Sequence, residues 1–256
     1  MQMKILILAL YYNRPKLLRN ALQSVLTAHE HYKDWELVFG DDNSPVPGEP
    51  IVREILHEHM DRVKCINSKM TLEDKLSKGL MVGHYANQAM QSSNADLVIT
   101  LCDDDQLVPT YLRDLSIYFI SHPEEMYAYS HVSIYNPLFE IPKEFHTECS
   151  YNINTTPINP AGKVDSSQVA FRRRVIDDGV CYPESSRSDE KMPWLENPDS
   201  SLFSKLFEKY GPARYTGLVA QYKGIHDFQL VWHKKNTVGN LQQYVEKVDM
   251  LGGSLF

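Results

Sequence analysis

Three consecutive aspartates, Asp103, Asp104 and Asp105, are the feature of this sequence that most directly suggests chemistry. They follow the mainly apolar segment 97–101, a pattern typical of a fully buried strand. Open α/β sheets bind ligands at the carboxyl ends of their strands, so these carboxylates would lie where a ligand is expected. Grouped carboxylates also repel one another and are costly to desolvate, which indicates that a counter-ion accompanies them.

Oxygen ligands of this kind suit a hard divalent cation, Mg²⁺ or Mn²⁺, that keeps room for a substrate phosphate. The alternative is a solvated acidic turn before the next helix, because Asp is also common at helix N-termini. Both interpretations stay open on the triplet alone, and the rest of the sequence favours the cation site.

Strand and helix patterns alternate in the first half of the sequence. The strand patterns cover residues 4–10, 35–39, 62–66 and 97–101. One helical pattern begins at Pro15, and three others cover residues 51–56, 80–91 and 109–120. Such alternation predicts right-handed βαβ units and a mostly parallel central sheet flanked by helices.

The alternation of strand and helix patterns ends in the second half. Residues 136–163 and 182–198 are polar and rich in proline, and their apolar residues follow no sustained strand or helix periodicity. Long irregular segments of a compact domain are usually functional loops. We therefore predict one α/β domain over residues 1–256. It has a nucleotide-type half to about residue 125 and a loop-rich half from about residue 126, which share one sheet.

Composition narrows the class of protein. The net charge of −7 argues against binding to nucleic acid. The four cysteines are widely spaced without a C-x-x-C pair, which fits free thiols in a reducing compartment better than disulfides or zinc. The apolar run 5–10 is too short for a signal peptide, and no run has membrane-spanning length. We expect a soluble, cytoplasmic protein, and peripheral contact with a membrane stays open.

Two further polar clusters follow the first and second strand patterns, at Tyr12-Asn13-Arg14 and at Asp41-Asp42-Asn43-Ser44. Adjacent parallel strands would bring both clusters to one crevice beside the aspartate triplet. An aromatic ring there can stack on a base, and a carboxylate can accept a hydrogen bond from a base N–H or a ribose hydroxyl. The alternative is that these are ordinary turn residues, chosen for local backbone reasons.

Six segments, in order along the chain, resemble the motifs of family 2 glycosyltransferases with the GT-A (Rossmann-like) fold. They are Tyr12-Asn13-Arg14, Val38 to Ser44, Leu101 to Asp105 with Pro109, Gln168 to Arg173, Glu196 to Asp199 with Leu202, and Tyr222 to His226. Each motif is short, but the ordered set covers nearly the whole chain.

The resemblance implies a role for each matching residue. Tyr12 with Asp41 or Asp42 would hold the base and ribose of a nucleotide-sugar. The triplet would be the DXD-type element, with Asp105 as the first choice of direct metal ligand and His226 close to the metal or the diphosphate. Asp199 would be the general base. The implied nucleotide-sugar set is Tyr12, Asn13, Arg14, Asp41, Asp42, Asp103 and Asp104, and the implied metal set is Asp105, Asp103 and His226.

The sequence departs from the family pattern at two places. The acidic pair Glu196 and Asp199 is separated by two residues, so either is a candidate base, and the segment 189–190 offers a third. Asp199 would also lie near the start of a helix over 197–210, where Asp stabilises the helix end. Lys223 stands where the family has arginine, which keeps the charge but loses bidentate phosphate contact.

The resemblance implies a metal-dependent enzyme, using Mn²⁺ or Mg²⁺. It would move a sugar from a nucleotide-diphosphate sugar, with a UDP-sugar as the default donor, to a hydroxyl of a carbohydrate or other acceptor, with inversion. A retaining transferase and a non-catalytic nucleotide-sugar-binding protein stay open. A nucleotidyltransferase that makes the nucleotide-sugar is the other enzyme alternative. It would need a glycine-rich loop after the first strand, and residues 10–16 contain no glycine.

Overall fold

The structure is a computed structural model and shows an α/β domain. It describes residues 2–71, 73–74, 82–135, 157–183 and 198–224. The strands are β1 Ile5–Tyr11, β2 Trp35–Asp41, β3 Val63–Asn67, β4 Leu97–Cys102, β5 Asp105–Leu107, β6 Tyr127–Tyr135, β7 Val169–Arg172 and β8 Arg214–Gly224. The α-helices are α1 Pro15–His31, α2 Glu49–Ile55, α3 Val82–Ser92, α4 Tyr111–Ser121 and α5 Pro198–Tyr210. Within these ranges, none of the helices is long and apolar enough to cross a bilayer.

The strands form a single eight-stranded sheet in the order β3-β2-β1-β4-β7-β6-β8-β5. The four strands predicted from the first half, β1 to β4, are parallel to one another, and β6 is parallel to β8. Strand β7 runs antiparallel between β4 and β6, and the short β5 runs antiparallel to β8. The predicted α/β architecture with a mostly parallel central sheet is confirmed.

The core lies in two layers, because alternate residues of each strand point to opposite faces of the sheet. Ile5 and Ile7 of β1 pack on one face with apolar residues of α1, α2 and α4. Leu6 and Leu8 pack on the other face with apolar residues of α3 and α5. The sheet is therefore covered on both sides, as parallel strands with continuous apolar sequences require.

The strand registers bring the polar clusters to one edge of the sheet. Tyr11 at the end of β1 is level with Asp41 of β2, and Leu10 is level with Cys102 of β4. The sequences after these three strands therefore meet at the same end of the sheet. Strand β5 pairs with β8, so that Asp105 lies opposite Lys223, which is 118 residues further along the chain.

Candidate active site

The loops after β1 and β2 are joined by hydrogen bonds through Asn13. This buried residue adopts a φ of 51°, a left-handed conformation that Asn tolerates better than most residues. Its N–H donates to Ser44 Oγ at 3.0 Å, and its Oδ1 accepts from the N–H of Val46 at 3.1 Å. Asn13 therefore holds the loops after β1 and β2 together at the strand ends.

Asp41 organises the second loop with both carboxylate oxygens. Oδ1 accepts from the N–H of Ser44 at 2.8 Å, and Oδ2 accepts from the N–H of Gly48 at 2.9 Å. These are the bonds that the turn interpretation of this segment implies. Asp42, beside it, accepts from Ser68 Oγ at 2.9 Å through Oδ1. Contact of Asp41 or Asp42 with a nucleotide stays a prediction.

The ring of Tyr85, a residue of α3 to which the sequence analysis gave no role, lies next to Gly40 and close to Asp41 and Asp42. Burial raises the pKa of its phenol well above the ordinary value, and the nearby charges of Asp42 and Asp41 raise it further. A Cβ atom at Gly40 would lie 2.6 Å from the Tyr85 ring, so the position accepts only glycine without a shift of the ring. The ring thus lies directly against β2 beside the carboxylates.

Arg14 clamps the first two aspartates of the triplet. Its guanidinium binds Asp103 through Nη2 and Nε and binds Asp104 Oδ2 through Nη1 at 2.8 Å. The backbone N–H of Tyr12 also donates to Asp103 Oδ2 at 3.1 Å. Burial raises the pKa of Asp103. The charge of Arg14 acts to lower this pKa, and the charge of Asp104 acts to raise it. Arg14 is thus the counter-ion that a buried carboxylate cluster requires.

We expect Arg14→Ala to lower the free energy of unfolding by about 3–5 kcal/mol, because it leaves two buried carboxylates without their partner. Arg19→Ala is the matched control, since Arg19 lies on α1 just after Arg14 and pairs with Glu54 in an exposed ion pair that contributes little to stability. Urea denaturation of both variants measures the difference. Equal losses would contradict the clamp.

The residues that best fit a hard cation are Asp104 and Asp105. Ligand atoms of Cys102, Asp104 and Asp105 all lie within 4.8 Å of one another. Burial raises the pKa of the Cys102 thiol well above its ordinary value, so it stays protonated and is a poor ligand for Mg²⁺ or Mn²⁺. The two carboxylates are suitable ligands. Of the predicted metal residues, Asp105 lies in this group and His226 lies outside the described residues. Asp103 is bound by Arg14, which also binds Asp104.

Lys223 joins this group to the second half of the sheet. Its Nζ lies 3.5 Å from Asp105 Oδ2 and 3.1 Å from Asp165 Oδ1. Burial would lower the pKa of Lys223, but Asp105 and Asp165 raise it well above the ordinary value, so the group is an ammonium ion. The sequence analysis noted Lys223 as a substitution and did not identify its partners.

Asp165 is a site residue that the sequence analysis missed. Its Oδ1 accepts from Ser167 N at 3.1 Å and Ser167 Oγ at 2.8 Å, and its N–H donates to Gln168 Oε1 at 3.0 Å. This is a capping box at the turn before β7, and the pattern Asp-x-x-Gln was the signal that could have located the turn. Burial would raise the pKa of Asp165, but Lys223 and Ser167 hold it below its ordinary value.

Asp199 is the second residue of α5, where the helix-end alternative also places it. The pKa of Asp199 is raised to about 7. Burial is the largest cause and the charge of Asp165 adds to it, whereas Ser166 and Lys223 act in the opposite direction. The candidate base therefore lies within electrostatic reach of the Lys223 ammonium. Glu196, the other candidate, lies outside the described residues.

Comparison with known proteins places these features in a wider group. Residues 7–180 match the model of the family described as glycosyl transferase family 2. Protein CgeD of Bacillus subtilis (strain 168) is 27% identical over 206 residues, which cover 79% of this chain and 46% of CgeD. This chain thus spans about half the length of that relative.

Two solved structures share the fold. S. aureus TarS 1-349 in complex with UDP-GlcNAc superposes with a TM-score of 0.61 at 15% identity, over 96% of this chain and 66% of that one. The mannosyltransferase PcManGT from Pyrobaculum calidifontis, in complex with GDP-Man and Mn²⁺, gives 0.61 at 14% identity over 89% and 58%. The predicted GT-A type of fold is confirmed by these likenesses.

Proposed function

The chain belongs to glycosyl transferase family 2, and we propose that it transfers a sugar from a nucleotide-diphosphate sugar to an acceptor hydroxyl. The observation that carries the proposal is the pair Asp104 and Asp105, buried just after β4 beside the ends of β1 and β2. That place is the ligand-binding edge of an open α/β sheet. Family membership favours this function over the nucleotidyltransferase alternative.

Asp104 and Asp105 would hold the divalent cation, Mn²⁺ or Mg²⁺. When bound, such an ion neutralises charge on the leaving diphosphate. The charge of the site supports this assignment. Arg14 and Lys223 pair with four carboxylates, and these six groups carry a net charge of −2 when all are ionised. One divalent cation would balance that charge.

The nucleotide would bind in the crevice between the loops after β1 and β2. Tyr12 is the partly exposed aromatic residue at that edge, and its ring would stack on the base. Asp42 would accept a hydrogen bond from the base or ribose. Asn13, Arg14 and Asp103 would act by holding the loops in shape. We propose UDP as the nucleotide, supported by the fold shared with a structure bound to UDP-GlcNAc.

Asp199 would take the proton from the acceptor hydroxyl, with Glu196 as the alternative base. Asp199 comes from a different part of the chain from the metal carboxylates, which permits this role. A base on the opposite side of the sugar from the leaving group gives in-line displacement with inversion. The elevated pKa of Asp199 also matches a base that works near neutral pH.

We expect the transfer rate to fall as the pH drops through about 7, because only the ionised Asp199 accepts a proton and burial sets its pKa at about 7. The measurement is kcat/KM between about pH 5 and pH 9, because kcat/KM reports the pKa of the free enzyme. An acidic limb at about 4, the ordinary value for Asp, would remove Asp199 from the role of base.

Thermal-shift measurements with UDP, GDP, CMP and dTDP, each with and without Mn²⁺, test the donor class. Stabilisation by one nucleotide that requires Mn²⁺ is the expected result, because a ligand that binds only the folded state raises its stability. No shift with any nucleotide would contradict the proposal. Turnover of the matching nucleotide-sugar then separates an enzyme from a non-catalytic binder, and the anomer of the product separates inversion from retention.

The acceptor would be a carbohydrate or another molecule with a free hydroxyl. We propose a cytoplasmic location because the cysteines fit a reducing compartment: Cys65, Cys102 and Cys181 are free thiols in the structure. Fractionation of cells that produce the protein tests the location and shows whether part of it is bound peripherally to membranes.

A further inference from the structure

The Lys223 ammonium lies between two carboxylates from different parts of the chain. Asp105 belongs to the metal group after β4, and Asp165 caps the turn before β7. Only 14% of the Lys223 side chain is exposed, and the side chain of Asp105 is fully buried. The Lys223 ammonium is therefore enclosed at the place where we propose that a divalent metal binds.

The two contacts of Lys223 are unequal. The distance to Asp165 Oδ1, 3.1 Å, is that of a good hydrogen bond, whereas 3.5 Å to Asp105 Oδ2 is at the limit. Asp165 is also held by Ser167 and Gln168, so its position does not depend on Lys223. The ammonium can leave Asp105 and keep Asp165 as its partner.

A metal ion on Asp105 would meet the Lys223 ammonium as a like charge a few ångströms away, in a poorly solvated place where repulsion is strong. A carboxylate oxygen that ligates a divalent metal also gives up electron density to it and holds an ammonium ion less strongly. We propose that Lys223 is the resident counter-ion of Asp105, that a divalent metal displaces its ammonium, and that Asp165 holds the displaced ammonium. This inference rests on the proposed function in placing the metal at Asp104 and Asp105.

The inference predicts opposite effects on metal affinity from two single substitutions. Lys223→Gln removes the competing cation and should tighten Mn²⁺ binding by about tenfold or more. Asp165→Asn removes the alternative partner, so Lys223 competes more strongly and Mn²⁺ binding weakens by a similar factor. Asn keeps the oxygen that caps the turn, so the fold around β7 is retained.

The double variant separates displacement from a general field effect. If Asp165 acts through Lys223, Asp165→Asn has no effect on Mn²⁺ affinity once Lys223→Gln is present. If Asp165 acts only as a distant negative charge, it attracts the metal directly and the two effects add. The cycle therefore needs four proteins: wild type, both single variants and the double variant.

The experiment is titration with Mn²⁺ alone, following the electron paramagnetic resonance signal of the free ion. Lys64→Gln is the matched control, because Lys64 lies exposed on β3 and loses the same charge. Lys223→Met is a second neutral variant and should match Lys223→Gln. If Asp165→Asn fails to fold, the Lys223 variants alone decide. Tighter Mn²⁺ binding by Lys223→Gln and Lys223→Met, without a change in Lys64→Gln, supports the inference. Unchanged Mn²⁺ binding by the Lys223 variants overturns it.

The outcomes distinguish this inference from the proposed function. Absence of Mn²⁺ binding in every variant overturns both the metal assignment and the inference. Binding by the wild type, with an effect of Asp165→Asn that persists in the Lys223→Gln background, overturns the inference alone. Loss of that effect in the double variant supports it.

Discussion

Asp199→Asn should lower the rate of sugar transfer by about 10²- to 10⁴-fold, the usual contribution of a general base. The amide cannot take the proton from the acceptor hydroxyl. Donor binding should not change, because Asp199 is not among the residues proposed to hold the metal or the nucleotide. A loss of rate without a loss of donor affinity is therefore expected.

The measurement is the release of nucleoside diphosphate from the nucleotide-sugar whose nucleotide stabilises the protein. It is made once with acceptor and once without, when water is the only acceptor. Glu208→Gln is the matched control: it makes the same change of carboxylate to amide at an exposed position of α5. Asparagine preserves any capping of the helix, so a stability effect is separated from catalysis. Normal transfer by Asp199→Asn would move the base to Glu196 or elsewhere.

The sequence was sufficient to predict the strands that carry the site. Each of β1 to β4 was predicted to within two residues at either end. Their apolar residues form continuous runs because helices cover both faces of the sheet, and turn residues end each run. Patterns of this kind depend on neighbouring residues, so a single sequence contains them. The same patterns correctly brought the ends of β1, β2 and β4 to one edge.

The partners of the charged groups were not predictable in the same way. The contact of Lys223 with Asp105 depends on the antiparallel pairing of β5 with β8, across more than a hundred residues of chain. No short-range pattern specifies which strands pair at that distance. Asp165 was missed for the same reason, since its Asp-x-x-Gln pattern indicates a turn and says nothing of the lysine that it meets.

The partners of the individual aspartates were also not predictable from the sequence. The resemblance implied Asp103 as a metal ligand. In the structure, Arg14 and the N–H of Tyr12 bind its oxygens, and the group that could hold a cation contains Asp104 and Asp105. Adjacent residues of a turn point in different directions, and the sequence does not say which. The metal role of Asp103 stays a prediction, and Glu196 and His226 lie outside the described residues.

Asp105→Ala is therefore the sharpest test of the metal site, and it should abolish the part of donor binding that depends on metal. The variant removes one of the two carboxylates proposed to hold the cation and leaves Arg14 with both of its partners. At a nucleotide concentration of about 100 times Kd, the wild type gains about 2.7 kcal/mol from binding, and the variant should lose the Mn²⁺-dependent part of that gain.

Thermal shifts with the stabilising nucleotide, with and without Mn²⁺, measure this loss. Asp61→Ala, an exposed change of the same kind just before β3, is the control and should respond as the wild type does. Asp105→Ala also frees Lys223 from one of its two carboxylates, so each comparison is made against the same variant without nucleotide. A full Mn²⁺-dependent shift in Asp105→Ala would assign the cation to other residues, and Asp103→Ala and Asp104→Ala would then identify them by the same measurement.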